Sequence, residues 1–147
     1  MARGPVNISI DDKKFRARLN LIARNQEREI DNTMKIAAEV IRTRAVKGIQ
    51  SGPASGAPRA DGSRASAPGE FPMTDTGSLV SSVFTSIRKS GRRVIAFVGS
   101  DIVYAKFLEF GTRRMAARPW LQPSFDEVED QVRAIIRAGF QKANRKR

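Results

Sequence analysis

The chain has no cysteine and no histidine. The first absence removes any disulfide framework and any thiolate nucleophile or ligand. The second removes Ser-His-Asp triads, imidazole general bases and His-ligated metals. The remaining metal option is a carboxylate set, and the acids fall in no suitable pattern: Asp11 and Asp12 together, and Asp126, Glu127, Glu129 and Asp130 together, read as charges near helix starts. No glycine loop matches a phosphate cradle and no G-x-S-x-G elbow occurs. No apolar run approaches the roughly 20 residues of a membrane span. The opening residues, MARGPVNISIDDKK, lack the apolar stretch of a signal peptide, so a protein made and used in a cytoplasm is expected. Neither an enzyme nor a cofactor is expected.

What is abundant is positive charge. Lys and Arg number 27 against 15 acids, a formal net charge of +12 in 147 residues. That length fits a single domain, 1–147, with a core of its own. An excess this lopsided repels itself in the folded state and points to a polyanion nearby, nucleic acid being the commonest. Solubility alone is the plainer alternative.

The expected fold class is α+β: a long N-terminal helix, a small antiparallel sheet built on a β-hairpin, a C-terminal helix and a long Pro/Gly-rich loop. Over 11–48, Phe15, Leu19, Ile22, Ile30, Met34, Ala37, Ile41 and Ala45 recur at threes and fours, with Gln26 on the same stripe. Asp11 or Asp12 can cap this helix, and Gly48 followed by Ser51-Gly52-Pro53 stops it. The apolar stripe is narrow, which suits packing against few elements or against another subunit, as well as an ordinary amphipathic helix on its own core. Residues 51–75 hold four of the seven prolines and four of the eleven glycines, with little to bury. Such a stretch is a flexible loop or arm, either a plain linker or a segment that orders on a partner.

Residues 76–140 then read as a short helix, a hairpin, a bent connector and the last helix, followed by a basic tail over 141–147. Thr74 or Thr76 can cap the short helix carrying Leu79, Val80 and Val83. Val83 to Ser100 forms two β-branched and aromatic runs around Lys89-Ser90-Gly91-Arg92. Val94, Ala96 and Val98 lie on one face and Ile95 and Phe97 on the other, so both faces carry apolar side chains. The C-terminal helix has the cleanest pattern: Leu121, Phe125, Val128, Val132, Ile135 and Gly139. Acids early and Arg133, Arg137 and Lys142 late complement its dipole.

The connector, Val103 to Phe125, is crowded with Tyr104, Phe107, Phe110, Trp120 and Phe125 and bends twice, at Phe110-Gly111-Thr112 and at Arg118-Pro119-Trp120. Gly111 is expected as a left-handed residue closing a short helix. Glu109 has apolar neighbours on both sides. A general acid would need a second carboxylate that nothing nominates, so Glu109 is expected to pair with Arg113, Arg114 or Arg118.

Three segments, SAPGEFPMTDTGSLVSSV (66–83), YAKFLEFGT (104–112) and ARPWLQPSF (117–125), occur in an order that resembles the small neck, or tail-completion, proteins of long-tailed double-stranded-DNA bacteriophages. The likeness runs from about Asp12 to Gly139. It departs at Phe71-Pro72-Met73, where that family often has a second proline-rich step. The resemblance implies a structural protein of the virion neck. Such a protein is made in the host cytoplasm, joins the head-side connector to the tail terminator or tail tube, and forms a ring, sixfold in symmetry, around the channel for genomic DNA. Subunit-interface candidates are then Tyr104, Phe107, Glu109, Phe110, Arg118 and Trp120. Pro53, Pro58, Pro68, Phe71 and Pro72 would form a partner-docking loop. Arg42, Arg44, Lys47, Arg145, Lys146 and Arg147 would face DNA without reading its sequence. The alternatives are a basic nucleic-acid-binding factor or another structural tail component. No membrane partner is expected.

Overall fold

A computed structural model describes residues 13–73, 76–91 and 93–145. The element order is α1 (Lys13–Gln50), α2 (Ser78–Ser82), β1 (Val83–Ser90), β2 (Arg93–Ser100), α3 (Ala105–Phe110) and α4 (Gln122–Arg145). The fold is α+β, with a long first helix, an antiparallel two-stranded sheet and a long last helix. The expected caps at Asp11 and Asp12 lie outside the described residues.

α4 runs antiparallel to α1. Arg44 meets Glu127 at one end, Gly139 meets Thr33 further along, and Lys142 Nζ lies 2.5 Å from Glu29 Oε1 at the other end. The absence of a side chain at Gly139 is what lets the helices close: a Cβ there would stand 2.0 Å from Thr33 Oγ1. Thr33, itself buried, donates its hydroxyl to Glu29 O at 2.7 Å, so its position is fixed from both sides. α4 continues to Arg145, so the tail expected from residue 141 is helical through its described part.

α1 ends two residues later than Gly48 suggests. Gly48 is a packing site: the Phe71 ring lies where a Cβ would be, 2.2 Å from that point. The helix stops where Ser51 folds its N–H and hydroxyl back onto Lys47 O, at 2.9 and 2.7 Å.

The hairpin pairs Val83↔Ser100 through Ser90↔Arg93, so its turn is tighter than the four residues expected. Its inner face lies on α1. Thr85 donates to Glu39 at 2.7 Å, Arg42 Nε donates to Val83 O at 2.8 Å, and Lys89 Nζ is 2.5 Å from Asp31 Oδ2. Val98 packs on the core from the same face. The core itself joins every layer: Ala45 and Ile49 of α1, Leu79 of α2, Val83 of β1, Ala105 of α3, and Trp120 just before α4.

Candidate interaction surface around the bent connector

Helix starts leave backbone N–H groups without intrahelical partners. At α4 the N–H of the first residue, and those of the two residues leading into it, are satisfied from a distance in sequence. Glu109 Oε2 accepts the N–H of Trp120 at 2.8 Å and of Leu121 at 2.9 Å, and Oε1 accepts that of Gln122 at 2.9 Å. A carboxylate on the positive end of a helix is favourable for its charge as well as its hydrogen bonds. The expected arginine partner is therefore corrected: the oxygens of Glu109 are taken by backbone donors, and the acid anchors α4 to α3.

The other connector residues divide into inward and outward sets. Trp120 is 3% exposed and donates its indole N–H to Ala105 O at 3.2 Å, so it belongs to the core. Arg118 Nε donates to the carbonyl of the buried Ser66 at 2.9 Å, and its backbone N–H donates to Leu108 O at 2.7 Å. Glu109, Arg118 and Trp120, expected at a subunit interface, hold this chain together instead. Tyr104, Phe107 and Phe110 do reach the surface, and Phe110 is 83% exposed. Val103 beside them is 71% exposed. Gly111 has φ +74°, which favours glycine, but its ψ of −178° sends the chain out extended instead of turning it left-handed as expected.

The Pro/Gly-rich stretch is tied to this connector. Gly69 N–H donates to Ala117 O at 2.9 Å, next to the Arg118–Ser66 bond. Within the loop, the Gly56 N–H donates to Ala65 O and the Ala65 N–H to Ala57 O, beside a bridge between Pro58 and Arg64. Ser55 Oγ and the Ala67 N–H both donate to Glu70, which holds its carboxyl below the usual carboxylate range. The expected flexible arm is thus, through residue 73, a loop with fixed attachments. Among the expected docking residues, Pro53, Pro58 and Pro68 are exposed, whereas Pro72 is buried and Phe71 packs on Gly48 under the Arg44 guanidinium, 5.0 Å from the ring centre. Phe71 docks on this chain's own α1, and the Pro72 carbonyl lies against Gly52 just after it.

A second apolar surface lies on the outer face of the hairpin, where Phe84, Ile95 and Phe97 are exposed and Arg88 covers the Phe97 ring at 5.3 Å. Among the described residues the sheet has two strands, so each has one edge that no other strand pairs.

The expected DNA-facing residues do not form one surface. Arg42 is bonded to Val83 O and Glu39, and Arg44 to Glu127. Lys47 is exposed near them, but Arg145 lies at the far end of α4, about 27 Å along the helix from Glu127 at 1.5 Å per residue. Lys146 and Arg147 lie outside the described residues. The antiparallel pairing brings the end of α4 beside the part of α1 around Glu29, where Lys142 is paired.

Among the described residues no three acids group to hold a metal ion, and no helix is long and apolar enough to cross a membrane. Comparisons with family models, curated proteins and solved structures give no match.

Proposed function

We propose that this chain is a structural joint of a bacteriophage neck, a ring subunit between the head-side connector and the tail that surrounds the DNA channel. The observation that carries the reading is that the three segments bearing the family resemblance meet as one unit. Residues 66–83 receive Arg118, residues 104–112 supply Glu109 and Ala105, and residues 117–125 supply the backbone and indole donors that bind them. Motifs that lie far apart in sequence and close on one another form a working structural module more readily than a chance coincidence of short patterns.

The surfaces left over also suit a joint. Tyr104, Phe107 and Phe110 on the connector and Phe84, Ile95 and Phe97 on the hairpin are large apolar side chains left to solvent in a strongly charged protein. Exposed patches of this kind mark contacts with other chains. A closed ring uses one heterologous interface, and two different apolar surfaces on one subunit provide its two halves. Substituting Phe110→Asp and Phe107→Asp together leaves the core untouched, and it should yield a folded chain that fails to restore head–tail joining when supplied to particles lacking the protein. Full restoration by that variant would remove the connector from the interface.

The formal net charge of +12 favours a second reading, a basic nucleic-acid-binding factor. Particles separate the two: a neck protein copurifies with intact virions, and a free factor stays with the host cell's nucleic acid.

A further inference from the structure

Alternate residues of a strand point to opposite sides of a sheet. Val83 is buried, and Thr85 and Lys89 reach Glu39 and Asp31 of α1, so the odd-numbered residues of β1 face the body. Phe84, Ser86, Arg88 and Ser90 therefore face away, and the register sets Gly99, Phe97, Ile95 and Arg93 opposite them. This outer face holds two phenyl rings, an isoleucine, two serines and two arginines, and no acid. Phe84 is 44% exposed and Phe97 41%. A Cβ added at Gly99, opposite Phe84, would meet nothing within 4 Å, so the face beside that ring is open. Phe97 stands diagonally across the strand pair from Phe84, a separation of about 7–8 Å for such neighbours. The Arg88 guanidinium lies 5.3 Å from the Phe97 ring centre. Among the described residues no ion pair engages Arg88 or Arg93.

This set of side chains defines the chemistry of an occupant. Its charged groups are cations only, so the occupant is anionic. Guanidinium and hydroxyl groups donate to phosphate oxygens, and no carboxylate on the face competes for them. Two rings on neighbouring strands offer flat apolar surfaces, on which unpaired nucleobases stack and which an acidic peptide does not require. A duplex keeps its base faces inside its own stack. We infer that the outer face of the hairpin binds single-stranded nucleic acid with little regard to sequence. Bases stack on Phe84 and on the Phe97–Arg88 pair, and Arg93 with Ser90 meets phosphate at the turn. The site belongs to the free chain: in the proposed ring a neighbouring subunit covers this face, so strand binding and ring closure exclude each other. The inference goes beyond the neck reading and does not rest on it.

Fluorescence anisotropy of the full chain with a labelled oligothymidylate about 12 nucleotides long, a length within the range of such sites, tests it. Phe84→Ala with Phe97→Ala keeps every charge. It should weaken single-strand binding by about 30-fold or more and leave binding to a duplex of the same length unchanged. Phe84→Tyr with Phe97→Tyr keeps both rings and should bind as the wild type does. A second readout uses the wild type alone: photocross-linking of an oligonucleotide carrying 5-bromouracil should map to residues 84–97. No single-strand binding at low salt, an equal loss on single strand and duplex in the alanine variant, or cross-links confined to α1 and α4 would each overturn the inference. Displacement of the oligonucleotide by polyglutamate at equal charge would assign the face to an acidic protein partner, and it would overturn the inference as well. Absence of the protein from virion necks would sink the proposed function and leave this site standing.

Discussion

Glu109 carries the most structural consequence for a single side chain. It closes the start of α4 from another element, and its loss strands three backbone donors beside a buried tryptophan. Glu109→Ala should therefore lower stability by about 2 kcal/mol, near the upper range for a helix cap and its charged hydrogen bonds. Glu109→Gln, which keeps an acceptor but not the charge, should recover part of that in thermal melts. Equal stability of the alanine variant and the wild type would mean that the N–H groups find water instead. Gly139 makes the complementary point. Alanine is the better helix former by about 1 kcal/mol, yet Gly139→Ala drives a methyl into the fixed, buried Thr33. A net loss of about 1–3 kcal/mol, typical of overpacking, is expected in chemical denaturation. A gain would show that Thr33 can move aside.

At the scale of elements, both long helices, the hairpin and their order were legible because each rests on a local period. Val83–Ser100 coincides with the two strands, and the α4 stripe places Val132 and Gly139 against α1. The connections were less legible, since they depend on partners remote in sequence. Gly48 reads as a helix stop from its neighbours alone, but the Phe71 ring that needs its bare Cα is 23 residues away. Likewise the 51–75 stretch looks mobile from composition, because the bonds that fix it end on Ala117 and Arg118. The loop's internal clasp has a pH dependence of known sign. Glu70 is held below its ordinary value by Ser55 and the Ala67 N–H, so its contribution is fully present above the unfolded carboxylate pKa. That contribution is lost as pH falls through the lower folded value. Amide exchange at Ala67 should accelerate, relative to its intrinsic rate, on acidification below the usual carboxylate range, and a Glu70→Gln variant should lack the step. Exchange that is insensitive to this substitution would remove the clasp.

For the whole molecule, net charge was readable from the first line of sequence, but its distribution was not. Arg42 and Arg44 are bonded within the chain, to Val83 O and Glu127, and Lys142 is paired with Glu29 because α1 and α4 run in opposite directions. Contacts from surface arginines and lysines outside such pairs go to phosphates and carry no base information. Binding to duplex DNA should be weak, should fall steeply with salt and should differ less than about tenfold, or 1.4 kcal/mol, between sequences. Each arginine removed from a true contact should shallow the salt slope by about 0.9. A stronger sequence preference would favour the nucleic-acid factor over the neck joint. The most direct measurement of the central claim is cryo-electron microscopy of intact particles, with the protein located by a tag on its exposed surface. The account predicts a closed sixfold ring between the head-side connector and the tail, with the connector aromatics Tyr104, Phe107 and Phe110 at the subunit boundary. Density for this protein elsewhere on the virion, in an open filament, or absent from purified particles would contradict it.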